Sequence, residues 1–343
     1  MATAASRLPR SQGVSERLRR RLSAVDQGYI VAGVVLTLVA GFSLALDGFL
    51  TTGNLLDAAR NSAVLGILAV GMAIVVVGRG LDLSIVVIMG VSSQFVAEYM
   101  NRGHGEVEAL LFGLALALAF GLVNGVLVAY VEIPALFVTL ATSLLYVGAS
   151  RLTYLERLNG RLPDFADFTT TVARSRPLGI PSPVLILLAV VVAAYLFMTR
   201  TSYGRFIYAR GDNPAAASVA GIPVRPLTVL TYGIAAVLAF VAGVLALGLA
   251  GGFDARAMTS GSQLYDVIAV VVIGGVSLAG GRGSLGGVLA GALLIGVLVN
   301  GMTLLDFDTI QQSLWKSIIV LAALVLDGWL HPRDEETARP GEL

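Results

Sequence analysis

TSYGRFIYARGDNPAAASVAGIPVRPLTV, residues Thr201 to Val229, is a polar, structured segment between two strongly apolar runs. Asn213 supplies an N-cap side chain, Pro214 suits the first helical position, and Gly221 can close the helix in the left-handed conformation. Pro223 and Pro226 prevent continuation, so the spacing predicts a stiff helix of about two turns held between Arg205, Arg210 and Arg225. On spacing alone the segment is either a docking element for a partner or an ordinary loop whose arginines fix orientation.

The apolar runs that flank it set the fold class. With 56% apolar residues, 13% charged residues and a mean hydropathy of +0.84, the composition is that of an all-α polytopic membrane protein. A chain of 343 residues has room for about ten spans of roughly twenty residues each plus loops. The net charge of +1 says nothing of partners, because topology follows where arginines lie. Cysteine is absent, which excludes disulfides, thiolate nucleophiles and cysteine-ligated metals.

Residues 1–28 read as a basic cytoplasmic arm near anionic lipid, and residues 29–330 as the transmembrane domain. Tyr29 to Leu46 is expected to be an uncleaved anchor, Asp47 to Arg60 an external loop, and Asn61 to Gly78 the returning span. In GRGLDLS, Gly78 and Gly80 permit a broken helix, and Arg79 and Asp82 are spaced to pair. That break lies either beside a translocation path or at the membrane interface, where Asp82 would start a helix. Ser92 and Gln94 on the next span, Asn124 between Gly121 and Gly125, and Thr139 and Ser143 on the one after form a polar set in apolar surroundings. They either line a path for a hydroxyl-rich solute or bond neighbouring helices and their own preceding turns.

Residues 151–182, with five arginines, fall outside by alternation of spans, against the positive-inside tendency; residues 200–227 fall inside. Val267 to Leu278 is short for a crossing, and the glycines from Gly274 to Gly287 predict a broken or re-entrant segment. Gly287 and Gly291 form a packing pair on Leu285 to Leu305. Lys316, the single lysine, lies inside the last span and is expected to snorkel outward or to meet an acid on a neighbouring span, such as Asp306 or Asp308. Residues 331–343 read as a cytoplasmic tail. No GxxxxGK[ST] loop is present, so nucleotide binding by this chain is not expected.

The segments TSYGRFIYARGDNPAAASVAGIPV and AVVVIGGVSLAGGRGSLGGVLAGALLIG, with RPLGIPSPV, GLDLS and NLLDAARNSAVLGILAVGM, resemble the permease subunits of ribose-type ABC sugar importers from about Asn54 to Asp327. The resemblance implies a multi-pass inner-membrane subunit whose short helix is a coupling helix seated in an ATP-hydrolysing partner. Arg210, Asn213, Pro214, Ala217 and Gly221 would then carry that contact. It also implies a dimer of ATPase subunits, a second permease, identical or paralogous, a periplasmic or tethered sugar-binding protein, and a monosaccharide or related polyol as substrate. Catalysis would rest on the ATPases, so no catalytic residue, cofactor, metal site or nucleic-acid partner is expected here. An ion-coupled secondary transporter of a small neutral solute is the rival class. The scarcity of ionisable residues within the spans speaks against it.

Overall fold

The computed structural model describes residues 27–153, 159–254 and 262–330. The basic arm up to residue 26, the tail 331–343, and Glu156, Arg157 and Arg256 lie outside the described residues. The helices run α1 (Gln27–Ala45), α2 (Thr52–Val77), α3 (Ile85–Asn101), α4 (Glu106–Ala129), α5 (Ala135–Thr153), α6 (Asp167–Arg174) and α7 (Ser182–Arg200). They continue with α8 (Ser202–Asp212), α9 (Pro214–Val219), α10 (Val224–Ala250), α11 (Ser262–Ile273), α12 (Leu285–Leu304) and α13 (Thr309–Leu330). A short antiparallel pair, β1 (Asn159–Arg161) and β2 (Gly252–Asp254), joins two of the end loops.

Helix α2 is the axis of the bundle. It is apolar on every side from Ala63 to Val77, and a helix of that kind must be enclosed. Helices α10, α12, α7 and α11 pack around it. The outer helices α4, α5 and α7 instead leave Leu122, Val126, Leu144, Leu145, Val192 and Leu196 exposed, a surface suited to lipid. Helices α1 to α5, α7 and α10 to α13 overlap the ten stretches read as crossings, though α3 and α11 have only 17 and 12 residues. Among the described residues α2, α4, α5, α7, α10 and α12 are long and apolar enough to span a membrane. The Gly121 and Gly125 pair makes the predicted close crossing with α10. A Cβ on Gly121 would lie 2.5 Å from Ala236 Cβ and 2.7 Å from the Tyr232 carbonyl, and one on Gly125 would lie 2.7 Å from Val229 Cα.

The structure corrects the sequence reading in several places. Asp47 to Arg60 is not an external loop, because α2 already begins at Thr52. Its polar residues find partners on helices: Arg60 pairs with Asp57 at 2.7 Å through Nη1, and the Asn54 and Asn300 amides exchange bonds of 3.0 and 2.7 Å between α2 and α12. Lys316 does not meet Asp306 or Asp308. It lies against α11, where its Nζ sits 2.8 Å from Asp266 Oδ1 and donates to Oδ2 at 2.9 Å. Asp308 instead accepts from the Gln311 N–H at 2.7 Å at the start of α13. The Lys316 and Asp266 side chains are only 12% and 17% exposed, so removing one charge strands the other. Lys316→Met is expected to cost about 3 kcal/mol, and the double replacement Lys316→Met with Asp266→Leu to recover most of it, read from thermal unfolding in detergent.

Of residues 151–182, those from 159 on are built into one end of the bundle. Glu106 accepts from the Phe168 and Thr169 N–H groups at 3.0 and 2.6 Å, holding the first turn of α6. Arg174 donates to the carbonyls of Gly248 and Leu249 at 2.9 and 3.2 Å, capping α10. This arginine serves a helix end rather than recording a membrane side. Helix α10 has 27 residues, a length of about 40 Å at 1.5 Å per residue, and separates this loop from α8 and α9 at its other end.

Candidate functional site

At the end of the bundle opposite residues 159–182, α8 and α9 form a capped platform. Thr201 starts α8 by accepting the Gly204 N–H at 3.1 Å. Asn213 ends α8 and begins α9, its Oδ1 accepting the Ala216 N–H at 3.0 Å, with Pro214 at the first helical position. Gly221 has φ +79°, and the Gly221 and Ile222 N–H groups return to Ser218 and Ala217 carbonyls, both at 3.0 Å. This pairing closes a helix in the left-handed manner that Gly221 predicts.

The side chains divide into an inward and an outward set. Ala217 is 4% exposed and packs against its own chain, so it supports α9 from within. Ala215 and Ala216 face outward, and Val219 is 90% exposed. Arg210 is half-buried and lines an open cavity of about 570 Å³ with Pro214, Ser218 and Thr228. Across that cavity Arg225 pairs with Glu132 at 2.7 Å. Burial, with Arg79 nearby, pushes the Arg210 guanidinium down from its ordinary value, and it remains a cation at neutral pH.

The platform rests on both interruptions of the bundle. One covers residues 78–84 between α2 and α3, the other residues 274–284 between α11 and α12. The Gly281 N–H donates to the Val77 carbonyl at 2.8 Å, so the two interruptions touch. Gly211, near the end of α8, is wedged against the Val77 carbonyl and Gly281, leaving no room for a Cβ. The Tyr208 hydroxyl adds a bond of 3.0 Å to the Gly283 carbonyl. The interruption at 78–84 turns on Arg79, at φ +63°, rather than on either glycine. Gly80 serves close approach instead, since a Cβ there would lie 3.0 Å from the Tyr232 hydroxyl and 2.9 Å from a Val75 methyl. A left-handed arginine costs roughly 1 kcal/mol, which the contacts around it must hold.

Asp82 does not pair with Arg79. It is fully buried, and its Oδ1 accepts from the Ser84 N–H at 2.9 Å and the Ser84 hydroxyl at 2.6 Å. The Asn124 amide donates to Ser84 Oγ at 2.7 Å, and its Oδ1 accepts from the Tyr146 hydroxyl at 3.0 Å. Thr139 Oγ1 accepts the Leu83 N–H at 3.1 Å, and the Tyr232 hydroxyl donates to the Leu81 carbonyl at 3.3 Å. Of the polar set read from sequence, Asn124 and Thr139 thus converge on the interruption.

Ser92 and Ser143 do not join them. Their hydroxyls donate to the Ile88 and Leu140 carbonyls at 2.6 and 2.7 Å, bonding their own helices. Gln94 is 1% exposed, and its Nε2 has no hydrogen-bond partner. Asp82, Ser84, Tyr146 and Tyr232 were not among the path residues read from sequence. The signal for Tyr146 was present, because it continues the face of Thr139, Thr142 and Ser143 by one more turn.

A family described as "Branched-chain amino acid transport system / permease component" matches residues 54–326. The ribose import permease protein RbsC of Escherichia coli (strain K12) is 35% identical over 304 residues, covering 88% of this chain and 94% of the relative. The xylose transport system permease protein XylH of Haemophilus influenzae is 30% identical over 369 aligned positions, covering 90% of this chain and 98% of the relative. The fructose import permease protein FrcC of Rhizobium meliloti is 30% identical over 307 residues, covering 87% and 84%. No solved structure matches the chain.

Proposed function

The chain belongs to this permease family, and from that premise we propose that it is the membrane subunit of an ABC importer that carries a monosaccharide or related polyol through the inner membrane. The permease does not itself hydrolyse ATP in this reading. A pair of ATPase subunits engages the platform, a second permease completes the passage, and a binding protein delivers sugar at the far end. Helix α9 lies on the cytoplasmic side with both termini, and residues 151–182 lie outside.

The contact comprises the outward face of α9 with Arg210, Asn213, Pro214 and Gly221, while Ala217 keeps the helix seated. Closure of the ATPases displaces α9 as a rigid body, and α8 carries the displacement inward. The observation that carries this reading is the wedging of Gly211 between the two helix interruptions, which ties an exposed, well-capped helix to the bundle interior.

Proteoliposomes holding the permease, its ATPase and its binding protein test it. Sugar uptake is expected to require all three together with ATP. Uptake by the permease alone under a sodium or proton gradient would instead favour the ion-coupled transporter.

A further inference from the structure

Asp82 carries a feature that the coupling reading does not use. Its Oδ1 is doubly bonded by Ser84, yet Oδ2 is buried and has no hydrogen-bond partner. A carboxylate oxygen shut away from water without a donor is costly, and protonating it would leave a buried hydroxyl equally unmatched. The hydrogen-bonded chain that leads from it is neutral: Ser84 bonds Oδ1, Asn124 bonds Ser84, and Tyr146 bonds Asn124, while Thr139 takes the neighbouring Leu83 N–H. The same seven-residue interruption holds Arg79 at φ +63° and touches the coupling platform through Val77 and Gly211. Two costly features in one irregular stretch, joined to the element that the ATPases move, mark a segment whose other arrangement satisfies what this one does not.

We propose that Asp82 is a sugar-contacting residue: when the interruption at 78–84 opens, Oδ2 accepts a hydroxyl of the transported sugar, with Ser84 and Asn124 holding the carboxylate in place. The inference rests on the importer reading above. A carboxylate oxygen suits a hydroxyl-rich neutral solute, because each accepted hydroxyl forms a charge-assisted bond while the solute itself carries no charge to desolvate. One such bond is worth about tenfold or more in discrimination.

Asp82→Asn separates the two oxygens. The amide oxygen can keep the bonds from Ser84, while the free position changes from acceptor to donor. The assay is ATP-driven uptake by the reconstituted complex, with binding protein saturated by radiolabelled D-ribose, D-xylose or D-fructose and by monodeoxy analogues of whichever sugar is carried. Uptake by Asp82→Asn is expected to fall at least about tenfold, with unfolding temperature and ATPase assembly unchanged. The penalty that wild type shows for one monodeoxy analogue should also vanish in the variant.

Wild-type uptake rates with unchanged discrimination would overturn the proposal. So would a variant that melts lower and fails to assemble, since the carboxylate would then serve only to hold the interruption. Sodium-dependent uptake by wild type would overturn it in favour of an ion site at Asp82. If the assembled complex shows no uptake that depends on ATP and binding protein for any monosaccharide or polyol, the importer reading itself fails, and that outcome is distinct from the others.

Discussion

Gly211→Val is expected to silence transport while leaving ATP hydrolysis by the assembled complex intact. A Cβ at this position would fall on the Val77 carbonyl and the Gly281 backbone, and would lie 3.0 Å from Gly281 Cα. Neither neighbour is a flexible side-chain end that can swing away. Overpacking of this kind costs about 1 to 3 kcal/mol, and here the movement that relieves it separates α8 from both interruptions. Uptake should fall by at least about thirtyfold, the equivalent of roughly 2 kcal/mol. Gly211→Ala should lie between wild type and valine. Uptake and ATPase rates measured on the same vesicles check the split, and normal uptake by the valine variant would show that the wedge transmits nothing.

Val219→Glu should have the complementary effect. Because Val219 is 90% exposed, the permease itself should keep its stability to within about 0.5 kcal/mol. An exposed apolar side chain buried by a docked partner is worth about 2 kcal/mol, so affinity for the ATPase subunits should fall roughly thirtyfold. Ala217→Asp is a contrasting case. It forces a charge into a site that is 4% exposed and should unseat α9, lowering the unfolding temperature before any partner is added. Titration of ATPase subunits onto detergent-solubilised permease, alongside thermal unfolding, distinguishes a lost contact from a lost helix.

The features legible in the sequence were those whose chemistry closes within a few residues. The caps of α9 are of this kind: Asn213 reaches Ala216 three residues on, and Gly221 lies where a left-handed residue must end the helix. The Gly121 and Gly125 pair was legible because its spacing alone creates a flat helix face. Misreadings came where partners are distant in the chain. Lys316 does meet an acid on a neighbouring span, but that acid is Asp266, 50 residues away, rather than Asp306 or Asp308. The polar residues of 47–60 looked like a loop because Asn300 on α12, which satisfies Asn54, gives no local sign. The convergence of residues 78–84, Gly211 and residues 274–284 is a property of packing, and glycine spacing marks only where the helices break. Asp82 was read with Arg79 because a spacing of three suits a helix, whereas the backbone there is not helical.

The central claim is that motion imposed on α9 reaches the interruption at 78–84 through Gly211. The chain contains no cysteine, so Leu83→Cys introduces a single thiol there and keeps the backbone N–H that bonds Thr139. The rate at which that thiol reacts with a small maleimide, in the assembled complex with and without a non-hydrolysable ATP analogue, tests the claim most directly. The account predicts that nucleotide changes the rate and that adding Gly211→Val abolishes the change. A rate indifferent to nucleotide, or one that responds equally in the Gly211→Val background, would contradict it.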